Sequence, residues 1–109
     1  MTNKSPLINV IHNGINKVSR RLIRDFGEIE NLQLSHEKID RFVSKSIFFI
    51  QDTLKNYFIQ SRPDWNIVFE NTKDIYQTLD RDKYYWLIDP INGVENFKRG
   101  IPIFAISIA

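Results

Sequence analysis

Two long amphipathic stripes followed by a proline constrain this chain more than any other feature. Leu7, Ile8, Ile11, Ile15, Val18, Leu22 and Phe26 recur at three- and four-residue spacing, which lines one face of a helix and predicts its end near Gly27. Phe42, Val43, Ile47, Ile50, Leu54, Tyr57 and Phe58 repeat the pattern in a second helix. That helix must stop before Pro63, because a proline has no N–H to donate and its ring clashes with the preceding turn. Beyond Pro63 the period shortens. NIVFE (66–70), YYWLID (84–89) and IPIFAISIA (101–109) are rich in β-branched and aromatic residues and bounded by turn formers, so they read as strands. The polar NTKDIYQTLDRDK (71–83) reads as an exposed connection. The predicted class is α+β, with two amphipathic helices packed on an antiparallel-type sheet.

Composition narrows what such a fold can do. With 109 residues, 42% of them hydrophobic, the chain is expected to form one modest domain over residues 1–109. It has no cysteine, which excludes disulfides and thiolate metal sites. No apolar run approaches the roughly 20 residues of a membrane span, and the start, MTNKSPLINVIHNG, lacks the unbroken apolar segment of a secretory signal. A soluble cytoplasmic protein with no membrane partner is the expectation.

A net charge of +2, from 15 basic and 13 acidic residues, gives no strong field for nucleic acid. Lys17, Arg20, Arg21 and Arg24 nevertheless share the helix face opposite the apolar stripe. That face reads either as solvated surface or as a contact for RNA or phosphate. His12 and His36 have no spacing partner that would make a metal pair and read as surface or turn residues.

The acidic residues are more informative. Glu70 ends one predicted strand and Asp89 the next, so pairing of those strands would bring both carboxylates to one edge of the sheet. They read either as turn residues or as ligands for a hard cation. Mg²⁺ prefers oxygen ligands and usually keeps water or substrate phosphate in its shell, so a site with few protein carboxylates suits phosphate chemistry. Asn92-Gly93 is a turn signal able to aim backbone N–H groups into a concavity, as phosphate sites do.

WLIDPINGVENFKRGIPIFAISIA (86–109) resembles the signature of the inositol monophosphatase family, Asp-Pro-(Ile/Leu)-Asp-Gly-Thr-x-Asn-Phe followed by Gly-x-Pro and Ser-Ile-Ala. Upstream, DWNIVFEN (64–71) stands where the family has a strand ending in Gly-Glu-Glu. FVSKSIFFIQ (42–51) stands where it has Val-Thr-x-x-Asp-x-x-x-Glu. The resemblance runs from about Pro6 to Ala109 and is nearest to the bacterial branch that includes the SuhB proteins, with FGEIENLQLS (26–35) included.

The resemblance implies the N-terminal half of an αβαβα sandwich and a Mg²⁺-dependent phosphomonoesterase ancestry, with a small polyol phosphate such as inositol phosphate as substrate and a metal-bound water as nucleophile. It puts Glu70, the Asp89 carboxylate, the Ile91 carbonyl and Asn92 at metal-ligand positions, and Gly93 and Val94 at the turn facing the phosphate. The departures fall on the chemistry. Asn92 replaces a metal-bridging aspartate, and a neutral amide offsets no cation charge, so metal binding should be weak. Val94 replaces the threonine that orients the attacking water, and Ile47 replaces the aspartate that partners it. Asn71 and Gln51 replace glutamates, and Glu37 stands where a lysine is common.

Ile47 and Val94 make physical sense together. A carboxylate beside a valine would be a charge without its partner, whereas Ile47 continues the 43, 47, 50, 54 stripe, so this edge is expected to have become core. Family members also continue through a second half that supplies another metal-ligand aspartate and most contacts to the substrate ring. The expectation is a truncated, catalytically inactive relative, with self-association at the unprotected edge of the last strand. The alternatives are an active phosphatase completed by a second chain, or a non-catalytic SuhB-like module contacting RNA or a transcription-related protein.

Overall fold

The computed structural model describes residues 5–31, 35–70 and 79–109. Helix α1 spans Pro6–Asn31 and helix α2 spans His36–Ser61. Each start is capped by a serine: Ser5 Oγ accepts from the Ile8 amide at 3.2 Å, and Ser35 Oγ accepts from the Lys38 amide at 3.3 Å, which satisfies a donor that has no intrahelical acceptor. Pro6 occupies the first helical position, where its missing N–H is harmless. At the other end of α2 the Arg62 amide donates to the Phe58 carbonyl at 2.9 Å, and Pro63 prevents continuation.

The first helix runs four residues past its expected end. Gly27 lies inside α1 rather than after it, and Ile29, two residues on, is buried. A mid-helix glycine costs about 1 kcal/mol relative to alanine; burying an isoleucine returns about 1.5–3 kcal/mol. Burial decides the matter, and the stripe extends from Phe26 to Ile29.

Three strands follow: β1 (Asn66–Phe69), β2 (Tyr85–Asn92) and β3 (Ala105–Ile108), in the spatial order β1-β2-β3. The antiparallel-type sheet expected from the sequence holds only for β2 and β3; β1 and β2 are parallel, so the sheet is mixed. Fifteen residues (70–84) separate the two parallel strands, about the dozen that a same-direction crossover requires. Of that segment, 71–78 lies outside the described residues, including Asn71 and most of the expected connection. Its end, 80–83, is exposed and folded on Asp80, whose side chain accepts from the Asp82 amide at 3.0 Å.

A short helix, α3 (Val94–Lys98), separates β2 from β3. The sequence reading placed a turn here and missed the helix, which is one turn long and too brief to show a period. Register places Ile67, Phe69, Trp86, Ile88 and Ile108 on one sheet face, against which α2 packs. The core joins Trp86, Ile88 and Ile91 from the sheet to Val18 and Leu22 of α1, Val43, Ile50, Leu54 and Phe58 of α2, and Phe97 of α3. Where the helices run closest, a Cβ built on Gly14 would lie 3.1 Å from the Phe58 ring. A side chain there would press on that ring.

Among the described residues, two polar side chains, Asp25 and Ser46, are buried between the helices. Asp25 accepts from Ser46 Oγ at 2.7 Å and from Arg21 Nε at 3.0 and 3.1 Å, so its charge is compensated where it is desolvated. Among the described residues, no helix is long and apolar enough to cross a membrane.

Candidate metal and phosphate site

The parallel pairing of β1 and β2 builds the site. Phe69 is in register with Ile88, and the Glu70 amide donates to the Ile88 carbonyl at 2.9 Å. Glu70 is thereby held beside Asp89 at the carboxyl end of both strands. An antiparallel pair would have sent the two strand ends to opposite edges. Glu70 is exposed and Asp89 half-buried, and neither enters an ion pair among the described residues.

These carboxylates open onto a cavity of about 370 Å³ lined by Ile47, Glu70, Asp89, Pro90, Ile91, Gly93 and Val94. Six of the seven positions implied by the resemblance are therefore brought together; Asn92 is not among the lining residues. It is exposed, and its Nδ2 donates to Ser107 Oγ on β3 at 3.4 Å. Ile47 is half-buried and packs against the core while forming part of the cavity wall. The expected conversion of this edge into core is thus incomplete: the side chain joins the core without closing the cavity.

Gly93 turns the chain at the mouth of the site. Its φ of 89° precedes α3, its carbonyl accepts from the Phe97 amide at 3.1 Å, and a Cβ there would approach the Ile103 carbonyl to 2.9 Å. Glycine is required both by that dihedral and by that approach. Asn96 then clamps the segment leading to β3. Its Nδ2 donates to the Ile103 carbonyl at 3.0 Å, and its own carbonyl accepts from the Ile101 amide at 2.8 Å. Phe97 is fully buried and meets Phe26 and Phe104 at ring-centroid distances of 5.6 and 4.9 Å. Residue-by-residue reading of the sequence assigned these two no role; Phe97 completes the core beneath the turn, and only the long-range contacts reveal that.

The donor set fits one hydrated Mg²⁺ and no more. Two carboxylates and a carbonyl match an ion that completes its octahedron with water or phosphate. Among the described residues no group of three His, Cys, Asp or Glu side chains is placed to hold a metal, so a multinuclear centre does not fit them.

The remaining candidates lie elsewhere. Glu37 is 3.7 Å from Arg41 on the exposed side of α2, and Gln51 is half-buried. His12 and His36 are exposed. A larger concavity of about 830 Å³ is lined by His36, Asp40, Glu95, Lys98 and Arg99 among others, but Lys98 bridges Asp40 at 3.1 Å and Glu95 at 3.8 Å, compensating both acids. The basic face of α1 divides: Lys17 and Arg21 lie over the Tyr57 and Phe49 rings at 5.4 and 4.5 Å, whereas Arg20 and Arg24 are exposed, Arg24 lying 3.8 Å from the Asp25 carboxylate.

Comparison with known proteins bears on the family of the chain. The chain is 34% identical over 106 residues to an inositol-1-monophosphatase of Rhizobium meliloti, covering 97% of this chain and 39% of that protein. It is 26% identical over 105 residues to the Nus factor SuhB of Haemophilus influenzae, covering 96% of this chain and 39% of the relative. The crystal structure of the extragenic suppressor protein SuhB from Bartonella henselae superposes with a TM-score of 0.73 at 29% identity, covering 96% of this chain and 38% of that one. The chain thus spans about two-fifths of the length of these relatives and corresponds to their N-terminal part. The sequence pattern of the inositol monophosphatase family matches residues 4–109, and the chain belongs to that family.

Proposed function

We propose that this chain is a catalytically silent half-site of the family, holding a single Mg²⁺ weakly and facing a small polyol phosphate without turning it over. The observation that carries this reading is that Ile47 and Val94 line the same cavity as Glu70 and Asp89. A general base must lie within hydrogen-bonding reach of the water it deprotonates, and neither aliphatic side chain accepts a proton.

Glu70, Asp89 and the Ile91 carbonyl would hold the ion. Mg²⁺ bound there would supply Lewis-acid polarisation of a phosphoryl oxygen. Backbone N–H groups of the Gly93 turn orient the phosphate, while Val94 and Ile47 present it with an apolar wall. The setting proposed is cytoplasmic, with a phosphorylated polyol as ligand.

The test is phosphate release from inositol 1-phosphate with millimolar Mg²⁺, set against the Asp89→Asn variant. No release from a folded chain supports the reading; release above the variant sinks it. A second chain supplying further ligands would leave Ile47 and Val94 in place, so complementation is proposed to restore affinity rather than turnover.

A second reading rests on the exposure of Arg20 and Arg24 and on the likeness to a protein named as a Nus factor. In it the fold is a contact module for RNA or a transcription-related protein. RNA binding that weakens with salt and with Arg20→Ala and Arg24→Ala together would favour it; unchanged binding would exclude it.

A further inference from the structure

The dipeptide Asn-Gly occurs twice in this chain, as Asn13-Gly14 and as Asn92-Gly93. It is the sequence in which an asparagine side chain is most open to attack by the backbone nitrogen that follows it, because glycine has no Cβ to hold the two apart. Both asparagines are exposed, so access to water does not separate them. Secondary structure does. Gly14 lies inside α1 (Pro6–Asn31), where its amide is committed to the helical ladder. Gly93 follows the last residue of β2 and stands at the N-cap of α3 with φ at 89°, a position whose amide takes no part in the helix's own bonds.

The Asn92 side chain is also loosely held. Its Nδ2 donates to Ser107 Oγ at 3.4 Å, longer than an ordinary N–H···O bond. Asn96 shows the contrast within the same segment: its Nδ2 is held at 3.0 Å by the Ile103 carbonyl, and the residue after it, Phe97, is fully buried.

We propose that Asn92-Gly93 is a self-modification site, at which the chain converts its own side-chain amide to a carboxylate, whereas α1 protects Asn13-Gly14. The Gly93 nitrogen, having lost its proton to base, bonds to Asn92 Cγ; the Cγ–Nδ2 bond breaks, and the amino group takes a proton from water and leaves as ammonia. The cyclic imide then takes up one water. Opening at Cγ restores the backbone and leaves an aspartate. Opening at the backbone carbonyl carbon leaves an isoaspartate, whose main chain runs through Cβ. Water is the only co-reactant, nothing is oxidised or reduced, and either product lowers the net charge of +2 by one unit.

The two products act differently on the fold. An aspartate keeps the turn, and its carboxylate can accept from the Ser107 hydroxyl to which the amide had donated. An isoaspartate adds a backbone carbon beside a glycine whose Cβ position already lies 2.9 Å from the Ile103 carbonyl, so it displaces a turn that lines the cavity. Neither outcome requires the cavity to hold a cation.

The experiment incubates the freshly purified, folded chain at mildly alkaline pH and follows it by peptide mass spectrometry. Trypsin separates the two sites, because Lys17 and Lys83 stand between them. The expected result is exchange of an amino for a hydroxyl group at Asn92, resolved into two isomeric peptides, with Asn13 unchanged. In urea, where α1 is unfolded, both asparagines are expected to convert at comparable rates. Asn92→Gln must close a larger ring and is expected to keep its amide. A folded chain that keeps the Asn92 amide while urea releases it, conversion of Asn13 as fast as Asn92 in the folded chain, or equal conversion in Asn92→Gln would each overturn the proposal.

Discussion

The Ser46 hydroxyl donates to the buried Asp25 carboxylate at 2.7 Å, and the next residue on α2, Ile47, lines the cavity. This bond links the two helices one residue away from the site. Removing the carboxylate leaves Ser46 with only the Phe42 carbonyl at 3.3 Å and frees Arg21, which is partly exposed and can hydrate. Asp25→Ala is therefore expected to destabilise the fold by about 1–3 kcal/mol, and Ser46→Ala by about 1 kcal/mol. Urea denaturation followed by circular dichroism measures both, and equal stabilities for parent and Asp25→Ala would disprove the linkage.

The two helical glycines of α1 should respond oppositely to alanine. Nothing lies within 4 Å of a Cβ at Gly27, so Gly27→Ala is expected to stabilise by about 0.5–1 kcal/mol through helix propensity. At Gly14 the added methyl meets Phe58 and Tyr57 at 3.1–3.2 Å, and overpacking there should cost about 1–3 kcal/mol. Thermal melts of the two variants give the signs directly.

Gly93 tests the turn over the site. With φ at 89° and the Ile103 carbonyl 2.9 Å from a Cβ, Gly93→Ala must strain the backbone or displace the segment that Asn96 clamps. A loss of about 1–3 kcal/mol is expected, with faster amide exchange at Ile101 and Phe97, the residues whose hydrogen bonds anchor this turn. Unchanged exchange would show that the turn tolerates a side chain.

Metal binding is expected to read out as stability rather than rate. At a Mg²⁺ concentration ten times the dissociation constant, linkage adds about 1.4 kcal/mol, equivalent to a Tm rise of roughly 4–8 °C for a domain of this size. Asp89→Asn or Glu70→Gln should abolish the rise, whereas Asn92→Ala should leave it intact, since that amide faces Ser107 instead of the cavity. A Tm rise lost in Asn92→Ala would return the amide to the ligand set.

What the sequence determined by itself is what rests on neighbouring residues. The stripes of α1 and α2 follow from helical spacing, the stop after Ser61 follows from Pro63, and the turn at Gly93 follows from Asn92-Gly93, because each depends on groups a few positions apart. The DPINGVEN stretch also carried the family, and with it the location of Glu70 and Asp89. Tertiary structure decided the rest. Ile29 holds α1 helical through Gly27 because its side chain reaches the core, and no local rule contains that gain. The parallel sense of β1 against β2, which places Glu70 beside Asp89, depends on a crossover and on packing against α2. Asn92 turns to Ser107, fifteen residues away, and Ile47 lies at the boundary between core and cavity. Chemical identity at each position is local; which groups face one another is settled only when distant segments compete for the same space.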